Sequence, residues 1–341
     1  MIEVATPASP LSCAAVPIAA PVAWVLHDGK AGMQSQALGL AEATGFRLVE
    51  KPLDIRRPWS VLPPQLWPLS RRVVLGSETL LGPPWPAVVI GCGRNTVIPA
   101  LAVRRASGGR TILAQVQDPR LGRAEFDLLI VPEHDRLRGR QVFVSRGAVH
   151  RVTPARLAGE RQRFPSLAAM PRPILGVLLG GSNKAYRLTL PRLAAIAEAI
   201  AGILQESGGS ALITPSRRTG DEGRRLIQQR LAGLPATIWD GAGDNPYFAY
   251  LALADAFLVT ADSVSMISEA AATGKPVHIF GLDGGNAKFA RFHQLMRRSG
   301  ITRPFAGRIE SWSYPIPDDT ARAGAAVRAL VLNRLERQPR A

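Results

Sequence analysis

The segment LVTADSVSMISEAAATGKPVHIF, Leu258 to Phe280, decides how this chain folds. Two apolar runs of strand length flank a stretch in which Val264, Ile267 and Ala271 recur at i, i+3 and i+7, the spacing of one helix face. Strand, helix and strand in so short a space form the repeating unit of a parallel sheet. A helix starting near Asp262 or Ser263 also puts Asp262, Ser265 and Glu269 at that spacing, roughly 200° around from the apolar set at about 100° per residue. The apolar set then packs on the sheet and the polar set looks away from it. Ser263 and Ser265 can cap the helix and donate to a phosphate, and Glu269, farther along, can accept from a ribose hydroxyl pair. The plainer reading is N-capping beside a solvated glutamate.

Outward from this unit the alternation runs along most of the chain. VAWVLH (22–27), AVVIGCG (87–93), TILAQVQ (111–117), FDLLIVP (126–132) and QVFV (141–144) read as strands of a first half. PILGVLL (173–179), SALITPS (210–216), ATIWD (236–240), AFLVTAD (256–262) and KPVHIFG (275–281) read as strands of a second. Between Val144 and Arg172 the strand character gives way to Arg, Pro and Gly. The expectation is a flexible leader over 1–21, doubly wound Rossmann-like domains over 22–165 and 172–305, and a closing segment over 306–341. Ligands of such sheets gather where strands end and helices begin.

Four loops occupy such places: HDGKAG (27–32), GCGRNT (91–96), GGSNKAY (180–186) and TADSVS (260–265). Small residues let backbone approach a ligand, and the amides opening the next helix favour an anion. Four in register predict a nucleotide diphosphate site, although glycine-rich turns also join strand to helix for structural reasons alone. The phosphate set is Gly180, Gly181, Ser182, Asn183, Lys184, Ser263 and Ser265, with Glu269 on the ribose. Lys30, Gly91, Gly93, Arg94, Asn95, Thr96, Arg217 and Lys288 complete the cleft. GCGRNT half-matches G-x-G-x-x-G, but Thr96 stands where the third glycine belongs, which argues against a dinucleotide.

Composition narrows the class. The 341 residues carry a net charge of +16 from 42 basic and 26 acidic residues. The basic pairs are scattered, so a solvated basic surface is expected and no specific nucleic-acid site. Cys13 and Cys92 lie at neither zinc nor redox spacing, which predicts no metal and a reducing, cytoplasmic home. The apolar run 14–26 is too short to span a bilayer and contains Pro17 and Pro21. Only five basic residues are Lys, and Lys30, Lys184, Lys275 and Lys288 fall in or beside the loops.

GGSNKA after the first strand of the second half, with SVSMISEAAATGKPVHIF near its end, resembles the donor domain of GT-B glycosyltransferases, a pattern shared with sugar-nucleotide epimerases. That resemblance implies two Rossmann-like domains facing a cleft, a C-terminal helix crossing back to the first, and a nucleotide-sugar donor with no cofactor required. DGKAGMQSQALGLAEATG, VIGCGRNTVIPALAVRR, FDLLIVPEHD, GGSNKAYRLT and TPSRRTG resemble, over a longer span, the mitochondrial fission family first known from plants for elongated mitochondria. In plants that family implies recruitment of a dynamin-related protein to a membrane; in its bacterial members the activity is unassigned. Two functions therefore compete: a metal-independent glycosyltransferase acting near a membrane on a lipid-linked acceptor, and a non-catalytic scaffold for a protein partner. Inverting chemistry needs a general base, for which His27, Asp28 and His134 are the candidates.

RRPWSVLPPQLWPLSRRVV (56–74) is neither clean helix nor clean strand. Trp59 and Trp67 between arginine pairs, with Trp85 following, suit a peripheral contact at the inner face of the plasma membrane. A Pro-rich excursion packed on its own domain suits the residues equally.

Overall fold

The computed structural model describes residues 20–337. Positions 1–19 of the expected leader lie outside them. Two six-stranded sheets, every neighbouring pair parallel, form the two halves. The first contains β1 (Val22–His27), β2 (Arg47–Pro52), β3 (Val88–Cys92), β4 (Ile112–Val116), β5 (Leu128–Pro132) and β6 (Val142–Ser145), in the order β2-β1-β3-β4-β5-β6. The second contains β7 (Ile174–Leu179), β9 (Ser210–Pro215), β10 (Ala236–Ile238), β11 (Ala256–Thr260), β12 (Val277–Phe280) and β14 (Thr302–Pro304), ordered β10-β9-β7-β11-β12-β14. A short antiparallel pair, β8 (Tyr186–Arg187) and β13 (Asp283–Gly284), stands apart.

Both faces of each sheet are covered, and for that reason the central strands read as unbroken apolar runs. Helices α1 (Ala31–Thr44), α2 (Ser77–Leu80) and α3 (Val97–Ala106) belong to the first half. Helices α6 (Leu190–Ser207), α7 (Gly220–Arg230), α8 (Tyr247–Leu253), α9 (Val264–Ala271) and α10 (Ala287–Arg298) belong to the second. In the first, Ala37, Leu40 and Ala41 of α1 pack on one face with Val25, Ile90 and Ala114, while Val97 and Leu101 of α3 cover the other. In the second, Leu193 and Ile196 of α6 pack with Val177 and Ile213, and Ile267 of α9 with Phe292 of α10 on the opposite face.

The linker helices α4 (Pro154–Arg163) and α5 (Pro165–Ala168) differ from the expected division at 165. Leu157 packs beside Leu251, and Phe164 and Leu167 beside Tyr250, so both helices sit on the second half. Val149 is core of the first half and Val152 core of the second. The final helix, α11 (Asp319–Arg337), crosses back: Ala323, Val327 and Val331 are buried against α1 and the first sheet. Gly324 permits the approach, since a Cβ there would stand 2.4 Å from that of Ala43.

In each sheet the chain leaves the first strand in both directions, which opens a crevice between β1 and β3 and another between β7 and β11.

Candidate functional site

The second crevice is built around Asp262. The helix expected to begin at Asp262 or Ser263 begins at Val264, with the Ser263 hydroxyl accepting from the Met266 amide at 3.3 Å. Asp262 therefore lies outside the helix, and not on its polar face. One carboxylate oxygen accepts from Thr260 Oγ1 at 2.7 Å, and the other from the Gly181 amide at 3.0 Å with Arg218 Nη1 at 2.6 Å. Thr260 Oγ1 in turn accepts from the Gly180 amide at 2.8 Å. This network revises the meaning of the two glycines. A Cβ on Gly180 would meet both Asp262 oxygens at 2.3 Å, and one on Gly181 would meet the Arg218 backbone at the same distance. They make room for a buried internal anion, and their amides are already occupied.

Asn183 and Ser182 shape the rest of the loop. Asn183 Oδ1 accepts from the Ala185 and Tyr186 amides at 2.7 and 2.9 Å, and Ser182 Oγ from the Leu188 amide at 3.0 Å. Lys184 and Arg217 are exposed and make no ion pair among the described residues. Arg218, unnamed by sequence reasoning as a site residue, is anchored through one nitrogen to Asp262 and to the Gly181 carbonyl at 2.9 Å while 40% of its side chain stays exposed. Guanidinium donors remain for an outside anion.

The first crevice holds Asp28. Its Oδ2 accepts from Asn95 Nδ2 at 2.9 Å and pairs with Lys30. His27 Nδ1 accepts from the Gly29 amide at 3.3 Å, and Nε2 lies 3.4 Å from Glu50 Oε2. With one nitrogen accepting and the other turned to a carboxylate, His27 is badly placed as a base. Thr96 is fully buried, donating to the Gly93 carbonyl at 2.9 Å. A Cβ on Gly91 would meet Thr96 Oγ1 and Gln115 Oε1 at 2.7 Å, and one on Gly93, at φ +82°, would strike Met33 Sδ at 2.5 Å. Arg94 is exposed. Gln117, at φ 70°, Arg120 and Arg136 hold the left-handed region at the ends of β4 and β5, a costly backbone for non-glycine residues and one that clusters at functional sites.

The two crevices face one another, and polar groups of α1 and α9 close the seam between them. Ser35 Oγ donates to Glu269 Oε1 at 3.0 Å, and Tyr247 Oη donates to Glu269 Oε2 at 2.6 Å. Glu269 is therefore buried and fully engaged, where an open ribose contact was expected; burial pushes its carboxyl pKa up. Ser265 Oγ accepts from Gln36 Nε2 at 3.3 Å and lies 3.7 Å from where a Gly32 Cβ would sit. Gln117 Nε2 reaches Gln36 Oε1 at 3.4 Å, and the Ala148 amide donates to Ser268 Oγ at 3.0 Å. Tyr247, Gln36 and Gln117 carried no sequence signal for these roles.

At the other end of the seam, Arg291 donates to the His134 carbonyl at 3.1 and 3.0 Å, and Lys288 pairs with Asp135. The His134 ring is buried edge-on against Phe292, centroids 5.3 Å apart, with Nδ1 unpartnered. Burial lowers its pKa to about 4, with Lys288, Arg291 and His293 adding to the fall and Asp135 opposing it. His134 and Lys288 thus lie at contacts that join the halves, the His134 ring expected as a base being buried there.

Residues 31–331 match the family model described as mitochondrial fission ELM1, and the chain belongs to that family. It is 34% identical over 271 residues to mitochondrial fission protein ELM1 of Arabidopsis thaliana, covering 71% of this chain and 63% of that protein. The chain thus spans less than two thirds of that relative's length. An uncharacterised protein of Rickettsia prowazekii (strain Madrid E) is 25% identical over 359 residues, covering 91% of this chain and 99% of that protein. Among solved structures, UDP-GlcNAc 2-epimerase from Methanocaldococcus jannaschii in complex with UDP-GlcNAc and UDP is similar at TM-score 0.51 and 15% identity, covering 91% of this chain and 99% of that one. The enzyme of that name from Rickettsia bellii is similar at TM-score 0.50 and 11% identity, over 93% and 97% of the two chains. With the sheet order and returning helix, these likenesses identify the fold as GT-B-like.

Proposed function

We propose that this protein binds a nucleotide sugar at the second crevice, with the diphosphate against the Gly180–Tyr186 loop and the opening of α9. The carrying observation is Arg218, held by buried Asp262 through one nitrogen while 40% of its side chain stays exposed, in a half where Lys184 and Arg217 are exposed and make no ion pair among the described residues. Fold supports the reading, since a protein of this architecture has been solved with UDP-GlcNAc and UDP. Glu269 takes the ribose once the halves part and the ribose hydroxyls replace Ser35 on its carboxylate.

The finer reading is glycosyl transfer to a lipid-linked acceptor. The acceptor hydroxyl attacks the anomeric carbon, the carbon–oxygen bond to the diphosphate breaks with its electron pair leaving on the nucleotide, and the hydroxyl proton passes to Asp28. Asp28 suits this better than His27 or His134, because its carboxylate is tied only by Asn95 and the exposed Lys30. The second reading, a scaffold without chemistry, draws on Glu269 and Asp262, whose oxygens all have partners within the chain.

Calorimetry with UDP and uridine tests the proposal. The parent should bind UDP more tightly than uridine. Arg218→Ala and Ser265→Ala should narrow that gap, and Glu269→Ala should weaken both ligands by roughly tenfold to a hundredfold. No binding across nucleoside diphosphates and their sugars would overturn it in favour of the scaffold.

A further inference from the structure

Between β2 and β3 the chain makes a long excursion that rests on the first sheet. Its tryptophans face inward, contrary to the expected membrane contact. Trp67 is 7% exposed, with Nε1 donating to the Leu62 carbonyl at 3.0 Å. Trp59 and Trp85 pack partly buried in the same apolar cluster as Leu53, Val73 and Leu81. Indole rings thus anchor the excursion to its own domain and turn other side chains outward.

Val61, Leu66, Leu69 and Leu75 are the residues so turned, at 72%, 63%, 45% and 44% exposed. They are four of the seven large aliphatic side chains exposed among the described residues, gathered within fifteen positions. Leu75 donates its amide to the Asp54 carbonyl at 2.9 Å, and Arg56 its own to the Val73 carbonyl at 2.9 Å, which sets Leu75 opposite Asp54 and diagonal to Arg56 across the antiparallel pairing of Ile55 with Val74. Arg56, Arg57 and Arg72 are exposed and make no ion pair among the described residues. Arg71, by contrast, is spent on the Leu81 carbonyl at 2.6 Å and on the Trp85 ring. The segment's own carboxylates, Asp54 and Glu78, leave an excess of positive charge.

We propose that this face docks the first half on an anionic lipid bilayer, the aliphatics entering the headgroup boundary and Arg56, Arg57 and Arg72 meeting lipid phosphates. Exposed aliphatics beside uncommitted guanidiniums match both layers of such a surface at once. Among the described residues no helix is long and apolar enough to cross a membrane, so the contact is peripheral. It is independent of the nucleotide reading and can fail separately from it.

Sedimentation with vesicles of phosphatidylcholine alone, and of phosphatidylcholine with phosphatidylglycerol, tests it. The parent should sediment with the anionic vesicles. Arg56→Ala, Arg57→Ala and Arg72→Ala together should weaken retention by about a hundredfold, near fivefold for each arginine. Val61→Ser, Leu66→Ser, Leu69→Ser and Leu75→Ser together should weaken it by at least about a hundredfold and abolish whatever survives at high salt. Leu66→Asp alone should move it in the same direction if the fourfold variant folds poorly. The pair Arg297→Ala and Arg298→Ala, exposed on the second half, should leave it unchanged. Absent retention of the parent, serine variants that bind like it, an equal loss from the control pair, or retention removed by competing RNA to the same extent in parent and serine variants would each overturn the proposal.

Discussion

Both crevices hold a carboxylate where a strand ends, yet the two are held differently. Asp262 is enclosed by a threonine hydroxyl, a glycine amide and a guanidinium, and its side chain is wholly buried. Asp28 is nearly as buried, its side chain 7% exposed, but its donors are Asn95, the Lys30 amide at 3.4 Å and the Lys30 ammonium, on a side chain that is 54% exposed. The same loop chemistry thus does different things: in the second half it closes a network around a carboxylate and locks a crevice into shape, and in the first it holds a buried carboxylate partly through a side chain that reaches solvent and can change partners.

The largest expected effect comes from removing each carboxylate. Asp262→Ala strands Arg218, Thr260 and the Gly181 amide around a void and should cost about 3–5 kcal/mol in urea unfolding. Asp28→Ala leaves Asn95 and the Lys30 amide without an acceptor but frees an exposed lysine, and should cost less, about 1–3 kcal/mol. Equal losses would break the comparison.

Glycine substitution sharpens it next. Gly180→Ala should cost about 2–3 kcal/mol, because its Cβ collides with Asp262. Gly29→Ala, at φ +73° with nothing within 4 Å, should cost only the left-handed backbone penalty, about 1–2 kcal/mol. A cost at Gly29 matching that at Gly180 would mean that backbone and not packing decides both.

The seam between the crevices has its own pH signature. His134 has a folded pKa of about 4 against an ordinary 6.5, so its contribution to stability is present above pH 6.5 and is lost as pH falls from there toward 4. His150, also lowered to about 4 by burial, slopes the same way. Glu269, raised by burial, works in reverse, its cost easing as acid protonates it. His134→Gln should remove about 3 kcal/mol of the acid-linked loss between those pH values, and an unchanged slope would take His134 out of the seam.

The smallest effect belongs to Ser35→Ala. Glu269 loses one of its two donors, and stability should fall by about 1 kcal/mol. If Glu269 also receives a ribose, nucleotide affinity should hold or rise in this variant. A fall in affinity would show that Ser35 assists the ligand.

Much of the fold was legible because its central strands, such as VVIGC and ILGVLL, are apolar throughout and buried on both faces. The edge strand RLVEKP was not legible, since its exposed and half-buried residues form no run. Four loops at strand ends could be read from small residues and spacing, and Ser265 and Glu269 from helical period. That period could not show what the face meets, and it met α1. Nor could it show which of Arg217 and Arg218 turns inward: loop dihedrals decide that, so the exposed neighbour was named and the anchored one missed. A cap at Asp262 and one at Ser263 look alike in sequence, so helical spacing alone does not separate Asp262 from the helix it precedes. Tyr247 is separated from Glu269 by a strand and two loops, beyond the reach of any local pattern.

The returning helix has a mechanical consequence. Because α11 ends on the first half, the backbone crosses between halves twice, near His150 and near Asp319. There the Arg146 amide donates to Asp319 Oδ2 at 3.1 Å and the His150 amide to Thr320 Oγ1 at 3.1 Å. The two crossings, tied side by side, join the halves at neighbouring points of the backbone. The second half is, topologically, a single continuous insertion into a domain whose own two ends embrace it.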